Sequence, residues 1–145
     1  LQEGQVIVDL LSKQLVSVAE FTNLIAENPD RDFERIRERL RLQVSKLMEA
    51  EPALDEQRLH QEAVVLAAKA DIQEELDRLT FHVNSAQELL AGGGVVGRKL
   101  DFLAQELNRE CNTICSKSNS ADVTAIALDI KLVIDQFREQ VQNLE

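Results

Sequence analysis

The sequence contains no tryptophan or tyrosine, only two cysteines and two prolines, and no long apolar run. Its longest uninterrupted apolar stretch extends from Ala63 to Ala68, whereas a membrane-spanning helix needs about 20 such residues. The two cysteines, Cys111 and Cys115, lie four positions apart and cannot build the disulfide framework of a small secreted domain. We therefore expect a soluble protein of the reducing cytoplasm, with no membrane partner.

Basic residues are also scarce, because 16 Lys and Arg stand against 26 Asp and Glu, which gives a net charge of −10. Nonspecific affinity for nucleic acid comes mainly from cations that face phosphates, so this balance disfavours a simple basic nucleic-acid module. Any role with nucleic acid would therefore depend on a local basic patch or on a metal ion. The length of 145 residues is sufficient for a single hydrophobic core.

Apolar residues recur at intervals of three and four, the period of a helix, so the sequence predicts an all-α fold of about five helices in a bundle. Prolines, the Gly92-Gly93-Gly94 cluster and the turn Ser118-Asn119-Ser120 separate them, and this turn also supplies N-cap oxygens for the fifth helix. The predicted helices extend from about Glu3 to Glu27, Asp30 to Ala50, Asp55 to Leu90, Arg98 to Lys117, and from Ser120 toward the end of the chain.

The third predicted helix is unusually long, because no breaker interrupts its apolar stripe from Asp55 to Leu90. Its roughly 36 residues would extend about 54 Å at 1.5 Å per residue. Such a helix is longer than a compact domain of this mass is wide, so we expect it to pair with another long helix or with a second copy of the chain. Phe81 and Phe102 lie off the apolar stripes, which predicts that a second surface covers them.

Charged side chains line the flanks of the third and fourth predicted helices, namely Asp71, Glu75, Arg78 and His82 on the third and Glu106, Glu110 and Lys117 on the fourth. If these helices pack antiparallel across the Gly92-Gly93-Gly94 loop, Glu75 and His82 would approach Glu106 and Glu110. Carboxylates with one imidazole suit Mn²⁺ or Mg²⁺ better than a structural Zn²⁺ site. The alternative is a solvated helix border on which His82 only forms hydrogen bonds.

Two basic segments are candidates for contacts with phosphates. Five arginines fall between Arg31 and Arg41, among acidic residues. They would either follow a phosphate backbone or form ion pairs along the helix. Arg98 and Lys99 stand at the start of the fourth predicted helix, a position that favours anions. The preceding glycine segment lacks the strand and the Lys-Ser/Thr ending of a phosphate-binding loop, so we interpret it as a hinge.

A specific resemblance appears in three ordered blocks: Gly97-Arg98-Lys99-Leu100-Asp101-Phe102, then Gln105-Glu106-Leu107-Asn108-Arg109-Glu110, and the ending Gln142-Asn143-Leu144-Glu145. Together they resemble the YicC/YloC family, bacterial proteins first known as stress-induced. The resemblance is clearest from about Asp55 onward and matches the family's C-terminal half. Residues 1–54 then form a helical lead-in, and because the chain opens at Leu1 inside helical sequence, we expect a fragment without the family's N-terminal half.

The resemblance implies a metal-dependent endoribonuclease that uses Mn²⁺ or Mg²⁺, no organic cofactor, and a closed homo-oligomeric ring such as a hexamer. The implied catalytic residues and metal ligands are Glu75, His82, Glu106 and Glu110. The residues that the resemblance implies for holding RNA phosphates or balancing those carboxylates are Arg78, Arg98, Arg109 and Lys117. An alternative is that this half is a non-catalytic helical module for oligomerisation, or an adaptor that binds RNA or a protein partner.

Overall fold

A computed structural model of the chain describes residues 2–48 and 55–144. Within these ranges the regular structure is entirely helical, which confirms the predicted all-α class. No helix among them is both long enough and apolar enough to cross a membrane. The elements are α1 Gln2–Ala26, a 3₁₀ helix Pro29–Arg31, α2 Phe33–Met48, α3 Glu56–Lys69, α4 Gln73–Gly92, α5 Gly97–Lys117 and α6 Ala121–Val141.

Helices α1, α4, α5 and α6 form a four-helix bundle in which each helix packs against two of the others. The loops between α4 and α5 and between α5 and α6 are short, so these neighbours run antiparallel. Burial of the apolar face of each helix is the main source of stability. Residues of the shared core include Leu11 and Val18 from α1, Leu79 from α4, Leu107 from α5 and Phe137 from α6.

The loop between α4 and α5 turns at two glycines with positive φ, Gly93 at 69° and Gly94 at 84°. Residues with a side chain rarely adopt this conformation, so glycine at the end of α4 allows the chain to reverse. Helix α5 then begins at Gly97 and returns along α4. Helices α4 and α5 therefore pack antiparallel across this turn, which is the condition on which the approach of His82 to Glu106 and Glu110 depends.

Ser120 caps the start of α6, as the serine-rich turn predicted. Its Oγ accepts a hydrogen bond from the backbone N–H of Val123 at 3.1 Å and donates one to Oδ2 of Asp30 at 2.6 Å. The bond from Ser120 is the largest of the effects that lower the pKa of Asp30 below its ordinary value. This contact joins the segment after α1 to the start of α6.

The prediction of one continuous helix from Asp55 to Leu90 is wrong, because α3 ends at Lys69 and α4 begins at Gln73. In the break, Oδ1 of Asp71 accepts a hydrogen bond from the backbone N–H of Gln73 at 3.0 Å. A short acidic side chain that binds the backbone two residues later competes with helical hydrogen bonding. Because the long helix is divided in two, its length no longer indicates that a second copy of the chain packs against it. Oligomerisation stays a prediction that rests on the family resemblance.

Helices α2 and α3 pack against each other outside the four-helix bundle. Their buried residues Ile36, Leu59 and Ala63 do not belong to the main core. The sequence predicts that the second helix starts at about Asp30, but the 3₁₀ helix occupies that position and α2 begins at Phe33. The predicted end of this helix at Ala50 lies outside the described residues. Leu47, near the end of α2, is 83% exposed.

All five arginines between positions 31 and 41 bind groups within the protein, which favours the ion-pair interpretation over phosphate tracking. Arg37 and Arg41 both bind Glu56 on α3, and the hydrogen bond from Arg41 lowers the pKa of Glu56. The others bind the carbonyl of Ala26 (Arg31), the carboxylate of Asp30 (Arg35) and the carbonyl of Asn119 (Arg39). Most of these contacts join different elements rather than successive turns of α2.

Both cysteines are free thiols, with Cys111 buried and Cys115 half-buried. Burial raises the pKa of the Cys111 thiol to about 12, so the thiol is uncharged at neutral pH and unreactive. Cys111 therefore serves as a small apolar residue of the main core.

Candidate metal and RNA site

The hairpin of α4 and α5 brings together three of the four predicted metal ligands. One ligand atom from each of His82, Glu106 and Glu110 lies within 4.8 Å of the other two. Glu106 and Glu110 are one helical turn apart, so both carboxylates lie on one flank of α5. His82 comes from the facing flank of α4 because the two helices run antiparallel across the glycine turn. We call these three residues the His-Glu-Glu group.

The His-Glu-Glu group fits one divalent cation. Opposite ligands of Mg²⁺ at 2.0 to 2.1 Å are about 4.2 Å apart, so small side-chain rotations would close the group around an ion. Among the described residues Nδ1 of His82 is buried and has no hydrogen-bond partner, a state that a cation or a water would relieve. His82 and Glu106 are only half-buried, which leaves the group open to solvent on one side.

Glu75, the fourth predicted ligand, does not belong to this group. Its carboxylate is almost completely buried, and Oε2 accepts hydrogen bonds from Nζ of Lys117 at 3.0 Å and Nη2 of Arg78 at 3.2 Å. The other oxygen, Oε1, is buried without a partner in the described part of the chain. The structure thus pairs Glu75 with Arg78, which is one helical turn away on α4, and with Lys117, which is 42 residues away in sequence.

Arg78 connects Glu75 to the His-Glu-Glu group. Its Nε donates a hydrogen bond to Oε1 of Glu110 at 2.9 Å, while Nη1 lies 3.6 Å from Oε2 of Glu74. The hydrogen bond with Glu110 raises the pKa of the Arg78 guanidinium. Of the two roles predicted for Arg78 and Lys117, these contacts correspond to balancing the carboxylates. Glu74 is not among the predicted site residues, although its i,i+4 spacing from Arg78 is a signal for such a pair.

Three other predicted phosphate-binding residues, Arg98, Lys99 and Arg109, are exposed and make no ion pair within the described ranges. Arg98 and Lys99 lie in the first turn of α5, where the helix dipole favours anions. Arg109 directly precedes Glu110 on the same helix. The three side chains are therefore available to phosphates near the hairpin.

Two exposed phenylalanines flank the His-Glu-Glu group. Phe81 is 66% exposed, and its ring centroid lies 5.7 Å from that of His82. Phe102, which is 59% exposed, precedes Glu106 by one turn of α5. The predicted surface that would cover both rings stays a prediction.

The fold and this site define a class of protein, an all-α bundle in which a helical hairpin carries adjacent carboxylates, a histidine and exposed cations. A family model described as "Endoribonuclease YicC-like, C-terminal" matches residues 25–145. The chain belongs to this family, and the resemblance found in its sequence is confirmed. The match also reaches further toward the N-terminus than the blocks that follow Asp55.

Two curated relatives show the same relationship. The chain is 45% identical to "Probable endoribonuclease YicC" of Haemophilus influenzae over 144 residues, 99% of this chain and 49% of the relative. It is 35% identical to the protein of the same name from Clostridioides difficile over 137 residues, 94% of this chain and 44% of the relative. The chain therefore spans about half the length of these relatives, whose names agree with RNA cleavage at the family level.

Proposed function

We propose that this chain is a metal-dependent endoribonuclease module that cleaves RNA phosphodiester bonds. The observation that carries the proposal is the His-Glu-Glu group, whose three ligand atoms lie within 4.8 Å of one another on the α4–α5 hairpin. The family membership and the names of the relatives support the same activity. Because the chain spans about half of those relatives, the activity of the complete protein is part of the proposal.

The side chains of the group have complementary roles. Glu106 and Glu110 would offer carboxylate oxygens and His82 a ring nitrogen, a donor set suited to Mn²⁺ or Mg²⁺. When bound, the cation would activate water and neutralise charge on the scissile phosphate. Arg78 neutralises part of the charge on Glu110 through Oε1, and the repulsion that remains between two carboxylates one turn apart favours a site that attracts cations.

RNA would approach along the exposed side of the hairpin. Arg98, Lys99 and Arg109 would contact phosphates, since they are exposed and make no ion pair with the described residues. Arg78 and Lys117 would instead keep the buried carboxylates compensated. This division gives an acidic protein exposed cationic side chains on the same helix as two of the proposed metal ligands.

Removal of the metal is expected to abolish cleavage. A hairpin RNA incubated with the chain and Mn²⁺ should be cut, and a chelator should stop the reaction until excess Mn²⁺ restores it. The full-length Haemophilus influenzae relative is the control for the half of the protein that this chain does not span. Cleavage that persists after complete removal of divalent ions would contradict the metal-dependent activity.

The ends of the products distinguish two mechanisms at the same site. Attack by water leaves a 5′-phosphate on the downstream product. If His82 instead acts as a base on the ribose 2′-hydroxyl, the upstream product carries a 2′,3′-cyclic phosphate. Mass spectrometry of the products identifies the route.

A second candidate is a non-catalytic half that serves oligomerisation or binds RNA or a partner protein. Exposed apolar side chains favour it, notably Leu128 and Leu132, which are one turn apart on the outside of α6. Under this candidate the chain would bind Mn²⁺ without cleaving RNA, while the full-length relative would cleave.

A further inference from the structure

We infer that Glu75 is a positioning residue that acts through Arg78 to orient Glu110 for binding a divalent cation. This inference deepens the proposed function and rests on it, because it concerns the same His-Glu-Glu group. It assigns Glu75 a role other than that of a metal ligand. Three contacts carry it: Lys117 to Glu75, Glu75 to Arg78, and Arg78 to Glu110.

The burial of Glu75 indicates a role beyond packing. Its side chain is 3% exposed, one oxygen is shared by two cations at 3.0 and 3.2 Å, and the other oxygen has no partner among the described residues. Desolvation of a carboxylate is costly, and an apolar side chain of similar volume commonly gives equal or greater stability at such a position. The buried Glu75 carboxylate is therefore best explained by the side chain that it orients, which is Arg78.

Arg78 transmits the effect because its guanidinium is planar and rigid. Glu75 holds Nη2 at 3.2 Å, which fixes the plane of the group and directs Nε toward Oε1 of Glu110 at 2.9 Å. The Arg78 side chain is 46% exposed, so without Glu75 it has room to rotate toward solvent. Glu110 would then lose the contact that sets the orientation of its carboxylate.

The first test is the affinity for Mn²⁺ alone, measured by titration calorimetry with the full chain and no RNA. The Glu75→Gln variant should bind Mn²⁺ about 10-fold more weakly, the size of effect typical for residues that orient metal ligands. Glu56→Gln is a matched control, because Glu56 also accepts two arginines but lies on α3, away from the hairpin. Circular dichroism without metal verifies that each variant is folded.

Loss of a negative charge near the site would also weaken cation binding, so a charge-matched variant is needed. Glu75→Gln combined with Lys117→Gln keeps the net charge of the parent protein. The positioning role predicts that this double variant still binds Mn²⁺ about 10-fold more weakly. A simple field effect predicts parental affinity, and that result would overturn the inference.

A set of variants made in a protein that lacks the Arg78 guanidinium tests whether Glu75 acts through Arg78. In an Arg78→Met protein, the further charge-matched change Glu75→Gln with Lys117→Gln should leave Mn²⁺ affinity unchanged, since the transmitting side chain is already absent. A further loss in that background would overturn the route through Arg78. Parental affinity of the folded Glu75→Gln variant would assign Glu75 to folding alone.

These failures differ from a failure of the proposed function. If the unmodified chain and the full-length relative both bind no Mn²⁺, the His-Glu-Glu group is not a metal site and the inference falls with it. If the unmodified chain binds Mn²⁺ and the Glu75 variants bind equally well, the proposed function stands and only the positioning role is rejected.

Discussion

Replacing Glu106 and Glu110 together with glutamine is expected to reduce Mn²⁺-dependent RNA cleavage by at least about 100-fold. Residues that merely orient metal ligands typically cost 10- to 100-fold when changed, and two of the three proposed ligands are removed here. Glutamine keeps the size of both side chains, and the amide oxygen at position 110 can still accept the hydrogen bond from Arg78. The rate of cleavage of a hairpin RNA at saturating Mn²⁺ is the measurement.

A control pair of carboxylates tests whether this loss is specific. Asp77 and Glu88 on α4 are exposed, make no ion pair with the described residues and do not belong to the His-Glu-Glu group. The double variant Asp77→Asn/Glu88→Gln should cleave RNA within about twofold of the unmodified protein. Unchanged cleavage by a folded Glu106→Gln/Glu110→Gln variant would remove the metal assignment from these residues.

The largest effect on stability is expected from Phe137→Ala, which should lower the free energy of unfolding by about 3 to 5 kcal/mol. Phe137 is 2% exposed and lies in the core shared by the four bundle helices. The loss combines apolar transfer with the cavity that remains. Urea denaturation followed by circular dichroism provides the measurement, and Phe137→Leu, expected to cost less than about 1.5 kcal/mol, replaces it if the alanine variant does not fold.

Phe102→Ala is the matched control, because Phe102 is 59% exposed. Its change should alter the free energy of unfolding by no more than about 0.5 kcal/mol. A loss for Phe102 as large as that for Phe137 would mean that a second surface covers the exposed ring. Equal, small effects at both positions would contradict the four-helix core.

The sequence predicted features that depend on local chemistry. The reversal at Gly93 and Gly94, the cap at Ser120 and the extent of α5 follow from conformational preferences of single residues and short segments. The approach of His82 to Glu106 and Glu110 was also predictable, because a tight turn between two helices enforces an antiparallel arrangement. The same reasoning could not determine which side chains pair within that arrangement.

The break between α3 and α4 was missed because apolar periodicity does not register it. Ile72 lies inside the break and is still buried, so the stripe continues although the helix does not. The signal was the carboxylate of Asp71, which competes locally for the backbone N–H of Gln73. Periodicity shows which residues face the core, whereas side-chain capping shows where a helix stops.

The position of Glu75 depended on tertiary packing. Its spacing places it on the same flank as His82, which suggested a shared metal site. Its partner Lys117 is 42 residues away in sequence, and only the packing of α5 against α4 brings that ammonium group to the buried carboxylate. A periodic pattern gives the direction of a side chain but not the charge that will face it.

Manganese soaked into crystals of the protein would show whether the His-Glu-Glu group binds a divalent cation. Anomalous diffraction is expected to show one Mn²⁺ peak in contact with a ring nitrogen of His82 and carboxylate oxygens of Glu106 and Glu110. The absence of a peak between these side chains at saturating Mn²⁺, with or without a peak elsewhere, would contradict a metal site at the His-Glu-Glu group.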